Sequence, residues 1–230
     1  MSYPRISSSK TAEAFRQRIA ELDINLPFDD EVKTGEAGPL AQPIERSRGR
    51  IGNRFCILPM EGWDGTEEGQ PSDLTRRRWE NFGLSGAKFI WGGEAVAVRR
   101  DGRANPNQLV INDANLSSLQ DLRELLVRTH EEHVGPSEDL LVGLQLTHSG
   151  RFARPNQKTV PEPRIAYRHP LLDPRVNVTD DGAILSDDEL ARLVDDFVVA
   201  ARRAADAGYA FVDIKHCHGY LGHEILSGFD

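Results

Sequence analysis

Short apolar runs alternate along this chain with longer stretches in which apolar residues recur every three or four positions. Runs at residues 54–59, 88–91, 140–147 and 209–215 are too short for helices and read as buried strands. The second of them continues through Gly92-Gly93 into Glu94, Ala95 and Val96. Between the runs the period becomes helical. Ser72 is placed to cap a helix over residues 73–85, which Gly86 ends. A second helix over 116–133 carries its apolar stripe on Leu119, Leu122, Leu126 and Val127, and Ser186 opens a third over 187–207, stopped by Gly208. Strand and helix in strict alternation, with strands that have no polar face, predict an α/β protein built on a parallel sheet.

The ends of the pattern differ from its middle. Residues 11–22 form an amphipathic helical stretch, but Pro27, Gly35, Gly38, Pro39 and Pro43 argue against a continuous helix or strand after it. Residues 1–50 therefore read as an irregular arm ahead of a domain spanning 51–230. A long connection from His148 to about Gly182 holds five prolines.

Two architectures suit this order: an open doubly wound sheet or a (β/α)8 barrel. No G-x-G-x-x-G follows the first strand, so a dinucleotide-binding sheet loses its usual support. Polar residues instead follow each strand in turn: Met60-Glu61, Glu94-Ala95, Gln145 to His148, and Lys215 to Tyr220. A barrel gathers such ends around one mouth. A whole barrel takes about 250 residues and eight strands, whereas four strands are counted here. The expectation is the amino-terminal half of a TIM barrel, either a fragment missing its carboxyl-terminal half or a half-barrel that associates with another copy.

Composition narrows the partners. The 230 residues are 39% hydrophobic and carry a formal net charge of −8, which disfavours a nucleic-acid footprint. The single basic run, Arg76-Arg77-Arg78, lies within the helix 73–85 and reads as a solvated helix face. No stretch of 18 apolar residues occurs, and the amino terminus has no apolar signal core, so no membrane segment is expected. Cys56 and Cys217 are the only two cysteines and form no C-x-x-C pair, as suits a reducing cytoplasm. Both read as small buried residues.

Four segments, taken in order, carry a resemblance: Gly52-Asn53-Arg54 with Pro59-Met60; Gly93-Glu94-Ala95-Val96-Ala97-Val98; Gln145 and Thr147-His148 with Gly150-Arg151; and His218-Gly219-Tyr220-Leu221 with Glu224 and Ser227. Over about residues 45–230 the chain resembles the Old Yellow Enzyme family of NAD(P)H:flavin oxidoreductases, the FMN-dependent ene-reductases and their dienoyl-CoA reductase relatives. The resemblance implies FMN as cofactor, NAD(P)H as electron donor and a small activated alkene (enone, enal or enoyl thioester) as substrate. It places Pro59 and Met60 beside the flavin ring, Ala95 where a small residue lets the backbone approach, and Gln145 on the pyrimidine edge. Relatives carry Thr or Cys against flavin O4 at the next position; here it is Glu61. His148 and Arg151 are expected mainly to shape their loop. In the last segment His218 matches one anchor for the substrate oxygen and Tyr220 the proton donor. Lys215 replaces the other anchor, usually His, with Asp213 on the same strand face to keep it charged. His216 has no catalytic counterpart. Barrels bind FMN phosphate with the loops after strands seven and eight, so the 230-residue chain alone is expected to bind FMN weakly.

Simpler readings stand beside these. Tyr220 can be an aromatic that packs at a helix start, and Gln145 a polar residue that a neighbour must satisfy. His216-Cys217-His218 also fits a metal-dependent barrel hydrolase, with His148 as a third ligand. A non-catalytic half-barrel is the remaining alternative.

Overall fold

A computed structural model describes residues 5–228, which fall into two compact units, Met1–Gln42 and Pro43–Asp230. In the first, helix α1 (Ala12–Glu21) is capped by the Thr11 side chain, which accepts from Ala14 N at 3.1 Å. Phe15 meets Phe28 edge-on at 5.1 Å, and Arg16 lies over the Phe28 ring while pairing with Asp30.

The second unit opens with a hairpin that the proline and glycine content had argued against. Strands β1 (Ile44–Arg46) and β2 (Gly49–Ile51) pair antiparallel, with Arg46 opposite Gly49. The breakers lie before the hairpin and at its turn, where Gly49 takes φ +86°. After it come β3 (Cys56–Ile57), α2 (Asp73–Leu84), β4 (Phe89–Ile90), β5 (Ala95–Ala97), α3 (Leu116–His133), β6 (Leu141–Thr147), α4 (Asp187–Asp206), β7 (Phe211–Ile214) and α5 (Leu221–Leu226). All pairs among β3 to β7 are parallel: β3 beside β4, β4 and β5 both beside β6, and β6 beside β7. The sheet thus has four strand positions in chain order, the arrangement of consecutive barrel units. The fold is α/β and corresponds to the amino-terminal half of such a barrel.

The second position is split in two because the backbone kinks at Gly92 and Gly93, with φ +80° and +39°. A Cβ on Gly92 would stand 2.8 Å from Gln145 N, and one on Gly93 2.7 Å from the Trp79 ring. Only glycine permits both the turn and the approach.

One face of the sheet carries the core. Ile90, Val96, Val142, Leu144 and Leu146 meet Trp79 from α2, Leu119, Leu122 and Leu126 from α3, and Leu193, Ala200 and Ala204 from α4. Trp79 is fully buried and takes Tyr209 edge-on at 6.2 Å, while the Tyr209 hydroxyl donates to Leu119 O at 2.8 Å. Each fully buried large side chain contributes roughly 1.5–3 kcal/mol.

The alternate residues of the same strands form the other face. Leu58 and Met60 are 65% and 62% exposed, and Trp91 is 38% exposed. Phe89, Trp91 and Phe211 cluster there, with ring centroids 5.2, 5.8 and 6.3 Å apart. Gly143 lies beneath Phe211, which would clash with any Cβ at 2.2 Å. In a closed barrel this face is the packed interior. Cys56 lies on it and is exposed, not part of the core. Cys217, in the turn after β7, is exposed as well.

The arginine run is not a uniform solvated face. Arg77 is exposed, but Arg78 turns inward to Asp64 at 2.9 Å and Glu94 at 2.5 Å. Helical spacing separates the neighbours: 78 faces the sheet's carboxyl end and 77 does not. Glu94 is buried, and Gly62 N donates to its Oε1 at 3.0 Å. Burial outweighs the Arg78 ion pair and pushes its carboxyl up from 4.5 to about 7.

Trp79→Ala is expected to cost about 3–5 kcal/mol in denaturant unfolding, the range for emptying a large aromatic site. Glu94 gives a pH signature. Its folded form keeps a proton that the unfolded chain has lost, so the protein loses stability as pH rises from 4.5 towards about 7 and levels off above that. Urea unfolding across this range should show the decline in wild type and a weaker one in Glu94→Gln.

Candidate active site

The carboxyl ends of the strands meet because the sheet pairs them in register. Met60 bridges Glu94, Ala95 pairs with Gln145, and Gln145 pairs with Asp213. Pro59, Met60, Glu61, Ala95, Gln145, Lys215 and Tyr220 all lie at these ends.

Glu61 is at the centre of the constellation. Its Oε1 accepts from Lys215 Nζ at 2.5 Å, and its Oε2 accepts from the Tyr220 hydroxyl at 2.7 Å and from Trp63 Nε1 at 3.1 Å. The Lys215 ammonium also sits 4.4 Å from the Tyr220 ring centroid, within cation–π range. Trp63 adopts a left-handed backbone, φ +48°, at which its indole reaches back to Glu61. A bulky residue in that region is uncommon and marks local strain. The Lys215 and Glu61 side chains are 7% and 8% exposed, so the pair is largely withdrawn from water. The Tyr220 phenol is pushed well above its ordinary value, first by burial and then by the charge and hydrogen bond of Glu61.

Asp213 does not serve as the counter-ion of Lys215. It accepts from Gln145 Nε2 at 2.6 Å, which satisfies the nitrogen end of the buried amide. Lys215 follows the end of β7, its N still bonded to Leu146 O at 3.0 Å, and its side chain reaches across to Glu61 after β3. His218 is exposed with φ +60°, its Nδ1 3.1 Å from Cys217 Sγ and its ring 6.4 Å from that of Tyr220. His216 is exposed and its Nδ1 lies 2.8 Å from Ile214 O. Among the described residues no group of three His, Cys, Asp or Glu side chains is arranged to hold a metal.

The loop after β6 aims Tyr220. His148 O accepts from Leu221 N at 3.2 Å, and a Cβ on Gly150 would collide with Leu221 at 2.9 Å. His148 is buried, and burial pushes its imidazole down to about 4, so Nδ1 is free to accept from Gly150 N at 3.1 Å. Arg151 is fully buried, where it pairs with Asp173 and with Glu224 of α5 and donates to Tyr167 O at 2.6 Å. These contacts fix the start of α5, for which Tyr220 is the N-cap residue. Sequence reading placed Glu94 at the mouth but missed Trp63 and Arg78 as parts of it. The one available signal was Gly62-Trp63-Asp64-Gly65, turn chemistry placed directly after a strand end.

The strand ends suit a planar ring with an amide edge. Met60 offers an exposed apolar side chain, and Ala95 pairs with Gln145 beside it. The carbonyl oxygen of Gln145 takes no donor among the described residues, and the buried Thr147 hydroxyl further along β6 has no partner.

The sequence profile of the NADH:flavin oxidoreductase / NADH oxidase family matches residues 39–229. An NADPH dehydrogenase of Geobacillus sp. is 27% identical over 179 residues, covering 77% of this chain and 47% of that protein. The Bacillus subtilis NADPH dehydrogenase is 29% identical over 195 residues, 83% of this chain and 52% of that protein. Among solved structures, Old Yellow Enzyme from a Pichia species superposes with TM-score 0.61 at 18% identity, over 80% of this chain and 47% of that one. Morphinone reductase does so with TM-score 0.61 at 20% identity, over 82% and 50%. The chain therefore spans about half the length of the relatives it matches. FMN is the family's cofactor and NAD(P)H its electron donor. With the profile running through nearly all of the second unit, this chain belongs to the NADH:flavin oxidoreductase / NADH oxidase family.

Proposed function

We propose that this chain forms the substrate side of an FMN-dependent oxidoreductase that reduces an activated alkene, with Tyr220 as the proton donor. The observation that carries the reading is the Tyr220 phenol, held protonated at the strand ends beside Met60, Ala95 and Gln145. Pro59, Met60 and Ala95 would pack the flavin ring, and the free carbonyl oxygen of Gln145 would accept from its pyrimidine edge. FMN, when bound, supplies the hydride to the alkene.

The protein's own groups orient the substrate and manage the proton. Lys215 has three N–H donors and uses one on Glu61, so two remain for a substrate oxygen. The exposed ring of His218 is the second anchor. Drawing electron density onto that oxygen activates the β-carbon, and the α-carbon then takes the phenolic proton of Tyr220, which acts as general acid. The phosphate loops of (β/α)8 barrels follow strands seven and eight, so the remaining strands of the barrel would hold the other end of FMN and close over the exposed Leu58, Met60 and Trp91. Two free, exposed cysteines are in keeping with a reducing cytoplasm.

Stopped-flow measurement of the two half-reactions in the flavin-loaded protein tests this reading. Tyr220→Phe should slow reoxidation by a simple enone by about 10²–10⁴-fold, the range for general acid catalysis, and leave reduction by NAD(P)H unchanged. Equal loss in both half-reactions would remove Tyr220 from the donor role.

A further inference from the structure

Glu61 presents a carboxylate where relatives are expected to carry an uncharged side chain, and it is fully engaged. Its two oxygens serve different partners, Oε1 the Lys215 ammonium and Oε2 the Tyr220 hydroxyl, with Trp63 Nε1 closing on Oε2. The partners lie 154 and 159 residues away in sequence, so the contacts are a product of the fold alone. A buried ion pair is costly to assemble and contributes little net stability, and a carboxylate beside a phenol opposes the phenol's ionisation.

We propose that Glu61 is the positioning residue of the acid centre: its carboxylate ties Lys215 to Tyr220 and holds the phenolic proton in reserve at the barrel mouth. This rests on the assignment of Tyr220 as the acid and adds a group that, beside burial, strengthens its hold on the proton. The geometry gives the two neighbours opposite effects. Glu61 accepts the hydrogen bond of the neutral phenol and repels a phenolate, whereas the Lys215 ammonium over the ring attracts a phenolate. The other groups facing the phenol are Cys217 and His218 from the turn after β7 and Ser149 from the loop after β6. A thiolate at Cys217 would work in the direction of Glu61, and the Ser149 hydroxyl works against it.

The four tyrosines make the test direct. With ζ-carbon-labelled tyrosine in the 230-residue chain, NMR titration follows each phenol, and Tyr220→Phe identifies its resonance. Glu61→Gln should lower the titration point of Tyr220 by a pH unit or more, a tenfold gain in acidity, and Lys215→Met should raise it. An unmoved resonance in Glu61→Gln, or shifts of the same sign in both variants, would overturn the proposal. A merely structural role for Glu61 gives no such opposed pair. If a thermal melt shows that Glu61→Gln does not fold, Glu61→Asp replaces it: one methylene shorter, it cannot reach both partners, and the titration point should fall part of the way. The readout needs no turnover. Should Tyr220→Phe leave alkene reduction intact, the donor assignment fails while the titration still judges Glu61. A donor effect with an unmoved titration sinks the Glu61 proposal alone.

Discussion

Trp79, Leu119, Leu122 and Leu126 close over Ile90, Val96, Leu144 and Leu146, and the direction of every strand end follows from that contact. Helices packed on one side of a parallel sheet fix the strands' spacing and register. The register then sets Met60 beside Glu94, and Ala95 and Asp213 on either side of Gln145. The glycine pair at 92 and 93 serves the same packing, since it lets the second strand bend around the Trp79 ring. The chemistry at the mouth is therefore held by apolar contacts that it does not touch.

At the mouth, charge is handled pairwise and out of water. Glu94 takes Arg78, Glu61 takes Lys215, and Arg151 takes both Asp173 and Glu224. Apart from Arg151 and Asp173, which share the connection after β6, each cation comes from a different element than its carboxylate, so the pairs also join α2 to the second strand, the end of β3 to the turn after β7, and the loop after β6 to α5. Such pairs add little net stability once desolvation is counted, but breaking one leaves a buried charge uncompensated. Their strength lies in geometry: a carboxylate with two bound oxygens has no freedom to turn.

The helices and the alternation of elements were legible in the sequence because caps and stops are local. Ser72 and Ser186 accept from the first-turn amides as their positions imply, and α3 has the residues its stripe demands. The strands proved shorter than their apolar runs, because the kink at Gly92-Gly93 and the turn at Lys215 belong to tertiary packing. The apolar nature of both strand faces was visible, but not that one face would lie open, which is why Cys56 was expected in the core. At the strand ends, the motifs named residues that the fold brings close together. Their partners were not legible: the lysine's carboxylate is 154 residues away, and the nearer Asp213 was the plausible local choice. Trp63 carried no periodic signal at all, since its role depends on a left-handed backbone.

Those long separations also give the molecule an order of assembly. Neighbouring strand positions are joined by local units, and contacts close in sequence can form early because little loop entropy is spent on them. The link from Glu61 to Lys215 and Tyr220 spans almost the whole sheet and can close only when the fourth strand has docked. Until then Glu61 is an ordinary solvated carboxylate and Tyr220 an ordinary phenol. The Glu61–Lys215–Tyr220 contact thus exists only once both ends of the sheet are in place, so a partly unfolded chain carries the three side chains without their pairing.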